Sequence, residues 1–199
     1  MKLLLENWRQ YLNEGHSESI FGYAVQSDDK IFLSDAPFDE MRNIQSGQQQ
    51  KEGYKPLGLW YGCGDGWIRF ASRELPSDYM ANVKYIYKIE LNYAEKLEDS
   101  PYDRVLKVDT VEDLSSLSKE YGVRDRYGYT KLNWRRFSND YGGIEICPYQ
   151  GYEDNPEGRS NIRMSPDYDW YYPWDVASGC VWDAGAIRNI ELLASKEGI

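Results

Sequence analysis

Histidine is nearly missing from this chain: His16 is the only one in 199 residues. It stands between Gly15 and Ser17 in a polar stretch, which reads as a solvated loop and argues against a Ser-His-Asp or Cys-His nucleophile and against a His-rich zinc site. Cysteine is also scarce. Cys63, Cys147 and Cys180 are odd in number, widely spaced and without a C-x-x-C pair or a secretory signal ahead of them, the usage expected of a reducing compartment. No apolar run approaches the roughly 18 residues of a membrane span, so the expectation is no membrane insertion. Positive charge is in deficit: 23 Lys and Arg face 33 Asp and Glu, a formal charge of −10. That balance opposes phosphate backbones and argues against broad nucleic-acid binding.

Aromatic residues are what the chain has in quantity, with 7 Trp, 18 Tyr and 5 Phe. Apolar content of 41% with 28% charge lies in the globular range. At this length a single domain buries about 70% of the surface its unfolded chain exposes, enough for a core without staples.

In residues 1 to 14, Leu4, Leu5, Trp8, Tyr11 and Leu12 form one apolar stripe, which predicts an amphipathic helix ahead of a single domain over 15 to 199. Short strands are expected at Ile20–Val25 and Lys30–Leu33, then a helix around Phe38–Ile44 and a mobile Gln-rich loop, SGQQQKEGYK. Gly58–Tyr61 reads as a strand, Gly62, Gly64 and Gly66 as a turn, and Trp67–Arg73 as a helix. Val83–Leu91 and Val105–Val108 read as strands, and Thr110 with Asp113 as a near capping box opening a helix to about Tyr121. Trp134–Tyr141 is expected helical, Gly143–Cys147 a strand, 150 to 172 a long loop, and Gly179–Trp182 and Ile187–Leu193 closing strands. Strands outnumber helices without alternating with them, so the class is α+β.

Three segments carry candidate chemistry. In KPLGLWYGCGDGWIRFA, three glycines between a strand and a helix let backbone N–H groups approach a ligand, but Gly62-x-Gly64-x-Gly66 is not the dinucleotide spacing and Asp65 would repel a phosphate. The plain alternative is a tight turn with Trp60 and Trp67 in the core. In NDYGGIEICPY, Glu145 between Ile144 and Ile146 faces away from the core, toward a cleft or, as the ordinary case, toward solvent. In WYYPWDVASGCVWDAGAIRNIELL, the aromatics with Asp175 and Ser178 make either a stacking wall for a planar base or core.

In order, GLWYGCGDGWIRFA, NDYGGIEI and SGCVWDAGAIRNIELL resemble the core strands of the ADP-ribosyltransferase superfamily, bacterial and phage type, over residues 30 to 193. The resemblance implies a split antiparallel or mixed β-sheet with a few peripheral helices, NAD as substrate, and transfer of ADP-ribose to a host protein or other macromolecule. It implies Glu145, Asp175 and Ser178 as catalytic candidates. Ser34, Trp60, Tyr61, Gly62, Trp67 and Trp174 are the implied NAD contacts in the same cleft. The family's first strand usually carries a His or Arg for NAD, where KIFLSD leaves Ser34; there is no Glu-x-Glu pair, and Gln50-x-Glu52 falls in the Gln-rich loop. Fold therefore transfers more safely than activity.

LLLENWRQYLNE followed by Gly15 resembles the head-targeting peptides of T-even-like bacteriophages, cut after Leu-x-Glu, here Leu12-Asn13-Glu14. This implies capsid association through residues 1 to 14, packaging in the virion and action in the host bacterial cytoplasm. The plain alternative is a terminal helix packed on its own domain. Two further readings stay open: a non-enzymatic interaction or virion-associated protein on a degenerate form of the fold, and a carbohydrate-directed role resting on the Trp and Tyr abundance.

Overall fold

Runs in which every second residue is apolar, such as Tyr85–Leu91, must put one set of side chains on each face of a sheet, and eight strands pair here. The computed structural model describes residues 19–20, 23–40, 44, 50–94, 104–150, 162 and 165–196. The expected helix of 1 to 14, His16 and the Leu12-Asn13-Glu14 tripeptide lie outside these residues, as do parts of the expected Phe38–Ile44 helix and of the Gln-rich and 150 to 172 loops.

In chain order the elements are β1 (Ser19–Ile20), β2 (Tyr23–Ala24), β3 (Lys30–Ser34), β4 (Glu52–Gly53), β5 (Leu59–Cys63) and α1 (Gly66–Glu74). They continue with β6 (Tyr85–Leu91), β7 (Tyr93–Ala94), β8 (Val105–Val108), α2 (Val111–Tyr121), β9 (Gly122–Arg124), β10 (Thr130–Asn133) and α3 (Trp134–Phe137). The last are β11 (Gly143–Ile146), β12 (Ser178–Val181) and β13 (Ile187–Ser195), with 3-10 turns at Met80–Asn82, Pro166–Tyr171 and Ala184–Ala186.

The α+β expectation holds. The main sheet has eight strands in the order β13-β6-β3-β5-β12-β11-β8-β7, with β4-β10-β9 as a separate three-stranded sheet and β1-β2 as a short ribbon. β8 runs parallel to both neighbours, β7 and β11, and the other pairs are antiparallel. Hydrogen bonding passes through all eight strands, where a split sheet was expected. The joint between β3 and β5 is narrow, two register pairs (Lys30 with Cys63, Ile31 with Gly62), against four on each far side, β3 to β6 and β5 to β12.

All three of the described helices cover one face. There α1 packs Ile68 against Ile31, Leu33 and Ile86. α2 and α3 pack Leu114, Leu117, Trp134 and Phe137 against Ile144, Ile146 and Cys180. The expected capping box of α2 is complete: Thr110 Oγ1 accepts from the Asp113 N–H while the Asp113 carboxylate accepts from the Thr110 N–H. The opposite face carries Phe32, Leu59, Tyr61, Tyr85, Tyr87, Ile89, Leu91 and Val181.

Several local expectations are corrected. Gly62 belongs to β5 rather than to the turn, and α3 stops at Phe137. Gln50 is buried, exchanging two hydrogen bonds with the Leu57 backbone, so this end of the Gln-rich segment is packed against the chain. The region expected as a long loop ends in a 3-10 turn that buries Trp170 and Tyr171 completely.

Candidate functional site

Alternation in β11 sends Ile144 and Ile146 into the helix-side core and turns Glu145 to the other face. It does not meet solvent there: Glu145 is 0% exposed, which corrects the solvent expectation. A buried carboxylate needs partners to offset its lost hydration, and Glu145 has three. The Tyr61 hydroxyl donates to Oε2 at 3.0 Å, the Tyr93 hydroxyl donates to the same oxygen at 2.9 Å, and Lys30 Nζ stands 3.2 Å from Oε1.

The sheet register explains this convergence. Gly179 on β12 is paired with Tyr61 of β5 on one side and Glu145 of β11 on the other. With no side chain there, the Tyr61 ring lies across β12 and reaches the carboxylate; a Cβ on Gly179 would overlap the phenol. Lys30 is paired with Cys63 and shares its face. Cys63 closes β5, Cys147 follows β11, and the two form a disulfide with Cα atoms 6.5 Å apart. The expectation of reduced cysteines is thereby corrected for this pair: residues separated by 84 positions are joined by the sheet, and Cys180 is left as a buried thiol.

Burial first, then the Glu145 charge, pushes the Tyr61 and Tyr93 hydroxyls well above the ordinary tyrosine range. Both stay protonated donors wherever the carboxylate is ionised. The result is a carboxylate held at one oxygen by two neutral donors and at the other by a cation whose side chain is 19% exposed. Such a group can stabilise developing positive charge or accept a proton, provided Lys30 or Tyr93 yields its place to a ligand.

The residues expected around one cleft divide between the two faces. Glu145 and Tyr61 come together. Ser34 shares their face but sits four residues along β3 from Lys30, about 13 Å by strand geometry, with its hydroxyl donating to the Ala36 carbonyl. Trp60, Gly62 and Ser178 lie on the helix side, and Ser178 donates to the Val176 carbonyl. Trp174 is core rather than a stacking wall, 1% exposed and 4.9 Å from the Trp60 ring centroid. Asp175 is exposed. Trp67 packs on Phe70 and Tyr79, and Gly62 is there for helix packing, since a Cβ would come within 2.6 Å of the Trp67 Cβ. The turn reads as the plain alternative had it: Gly64 takes φ +61° and its N–H donates to the Asp29 carbonyl at 2.8 Å.

Lys30, Tyr93 and Gly179 escaped the sequence reading. Lys30 was legible, because it shares the alternation of Phe32 and Ser34 and is the one basic residue of KIFLSD. Gly179, a glycine inside an apolar strand, signalled close approach of another group. Tyr93 carried no local signal. No protein-family model, curated protein or solved structure matches the chain.

Proposed function

We propose that the chain is an NAD-dependent mono-ADP-ribosyltransferase-like phage protein that modifies a host protein or other macromolecule, with Glu145 as its catalytic carboxylate. The observation that carries the reading is the placement of Glu145: buried on a central strand, gripped by Tyr61 and Tyr93, and paired with the basic residue of the strand expected to hold NAD. The narrow β3–β5 joint is where a split sheet would divide, and it lies beside this carboxylate. Departure of nicotinamide leaves oxocarbenium character on the ribose. A carboxylate accepting the ribose 2′-hydroxyl stabilises it, an effect of about 3 kcal/mol by analogy with single oxyanion-hole donors. Lys30 takes the part of the family's first-strand His or Arg, and its side chain moves from Oε1 to the dinucleotide phosphates as the ribose enters. Residues 1 to 14 act as the capsid-directed tag, and the acceptor is met in the host cytoplasm.

The test is calorimetry with NAD on the full chain beside an assay of nicotinamide release. Binding with release is expected, abolished by Glu145→Gln and little changed by Asp175→Asn, with circular dichroism showing that both variants fold. Release that persists in Glu145→Gln sinks the assignment.

A second reading, a non-enzymatic interaction protein on a degenerate fold, is favoured by the complete burial of Glu145, which makes the same three partners a structural clasp. It predicts no NAD binding at millimolar concentration.

A further inference from the structure

Among the described residues Glu145 Oε1 accepts no hydrogen bond although its residue is fully buried, and the Lys30 ammonium stands 3.2 Å from it. The sulfurs of Cys63 and Cys147 are also close to this carboxylate: the two sulfurs and one Glu145 oxygen are all within 4.8 Å of one another. Among the described residues no other three cysteine, histidine or carboxylate ligand atoms lie so close. Both cysteines are half-buried, whereas Cys180 is sealed in the core.

The geometry points to a redox-gated site for a thiophilic divalent cation of the zinc type, ligated by Cys63, Cys147 and Glu145 once the disulfide is reduced. Sulfur at about 2.3 Å from a tetrahedral zinc gives ligand–ligand edges of about 3.5 to 4 Å, inside the 4.8 Å within which the three atoms already lie, so opening of the S–S bond is the adjustment the site requires. Two thiolates and one carboxylate carry three negative charges; the cation and the Lys30 ammonium offset all three, so Lys30 completes the charge balance instead of opposing the metal. The fourth position, on the side of the half-buried cysteines, takes water.

The steps balance. A phosphine reductant takes oxygen from water to become its oxide while the disulfide gains two protons and two electrons. Cation binding then releases those two thiol protons. A small-molecule disulfide oxidant, which takes up the two electrons and two protons to become two thiols, converts the pair back to the Cys63–Cys147 disulfide, and this removes two ligands and expels the metal. The site goes beyond the NAD reading, and its test uses no NAD, so the two fail separately.

Full-length protein, reduced with a phosphine and freed of excess reductant under anaerobic conditions, is titrated with Co²⁺ and then Zn²⁺. One cobalt per chain is expected, with thiolate-to-cobalt absorption in the near ultraviolet, displacement by zinc and release of about two protons. The oxidised chain should show none of this. Cys63→Ser and Cys147→Ser should each weaken binding by more than the about 10- to 100-fold that loss of an outer-shell partner costs. Glu145→Gln should weaken it while keeping the thiolate absorption, and Cys180→Ser should behave as the unaltered chain. Circular dichroism of the reduced forms separates a lost ligand from a lost fold. For any variant that unfolds, zinc protection of Cys63 and Cys147 from alkylation in the unaltered chain is read in its place. Equal binding by the oxidised chain, full affinity in Cys63→Ser, or no cobalt absorption and no alkylation protection in the reduced chain overturns the proposal.

Discussion

Gly179 and Asp29 show how single positions are constrained by what reaches across them. The Tyr61 ring occupies the space over Gly179, so Gly179→Ala must push the phenol off Glu145 or shift β12. Overpacking of this kind costs about 1 to 3 kcal/mol, read as a lower guanidinium midpoint; an unchanged midpoint contradicts the packing described. Asp29 is 1% exposed and accepts from the Tyr23 hydroxyl at 2.9 Å and the Gln26 N–H at 2.9 Å, with Lys88 Nζ 2.7 Å from its other oxygen. Burial alone would raise its carboxyl, but hydrogen bonds from Lys88, the Gln26 backbone and Tyr23 outweigh that and hold it below the ordinary 3.8. A depressed value means the unfolded state takes up the proton first as pH falls. The stability Asp29 contributes is therefore complete above about pH 4 to 5 and is lost as pH falls through the ordinary carboxyl value toward its folded one. Asp29→Asn should lower stability at pH 7 and flatten the acid limb of the stability curve. An acid limb as steep as that of the unaltered chain would show that other carboxylates govern it.

Among the elements, the aromatic core beneath β11 and β12 distinguishes two tryptophans of equal burial. Trp182 donates its indole N–H to the Tyr141 carbonyl at 2.8 Å, whereas the buried Trp174 indole N–H has no partner among the described residues. Trp182→Phe loses a buried bond to the Tyr141 carbonyl; Trp174→Phe removes a donor that has no partner among the described residues. Both lose ring volume, so Trp182→Phe should be the more destabilising by about 1 to 2 kcal/mol in matched denaturant curves, and equal losses refute the difference. The outer strand β13 has register shifts between Ile187 and Asn189 and between Leu192 and Ala194, with Arg188, Asn189 and Glu191 exposed, devices that discourage further strands from adding to this edge.

For the whole molecule, the Cys63–Cys147 bond ties β5 to β11 across β12, closing a loop of 84 residues. The chain-entropy account assigns such a loop about 4.5 kcal/mol, reduced by any structure the unfolded chain retains. Reduction with metal chelated, or the double change Cys63→Ser with Cys147→Ser, should lower stability by about 2 to 4 kcal/mol in thermal or denaturant unfolding. Stability unchanged on reduction would show that the pairing carries none of the fold.

Local pattern was sufficient for most elements. The alternation of Tyr85–Leu91, the Thr110–Asp113 cap and the Gly64 turn are each settled by neighbours a few residues apart, and the α+β class follows from their count and order. The alternation around Ile144 and Ile146 also fixed which way Glu145 points. What it meets there depends on register between strands that are distant in sequence. Tyr61 lies 84 residues from Glu145 and Tyr93 lies 52 away, and neither pairing leaves a periodic trace. The same register brings Cys63 to Cys147, turning widely spaced cysteines into a bonded pair, and separates Trp60 and Ser178 from Glu145 onto the other face. Side-chain direction along one strand has a period of two and is written in the sequence. Which strands lie side by side, and so which side chains meet, is decided only when the sheet closes.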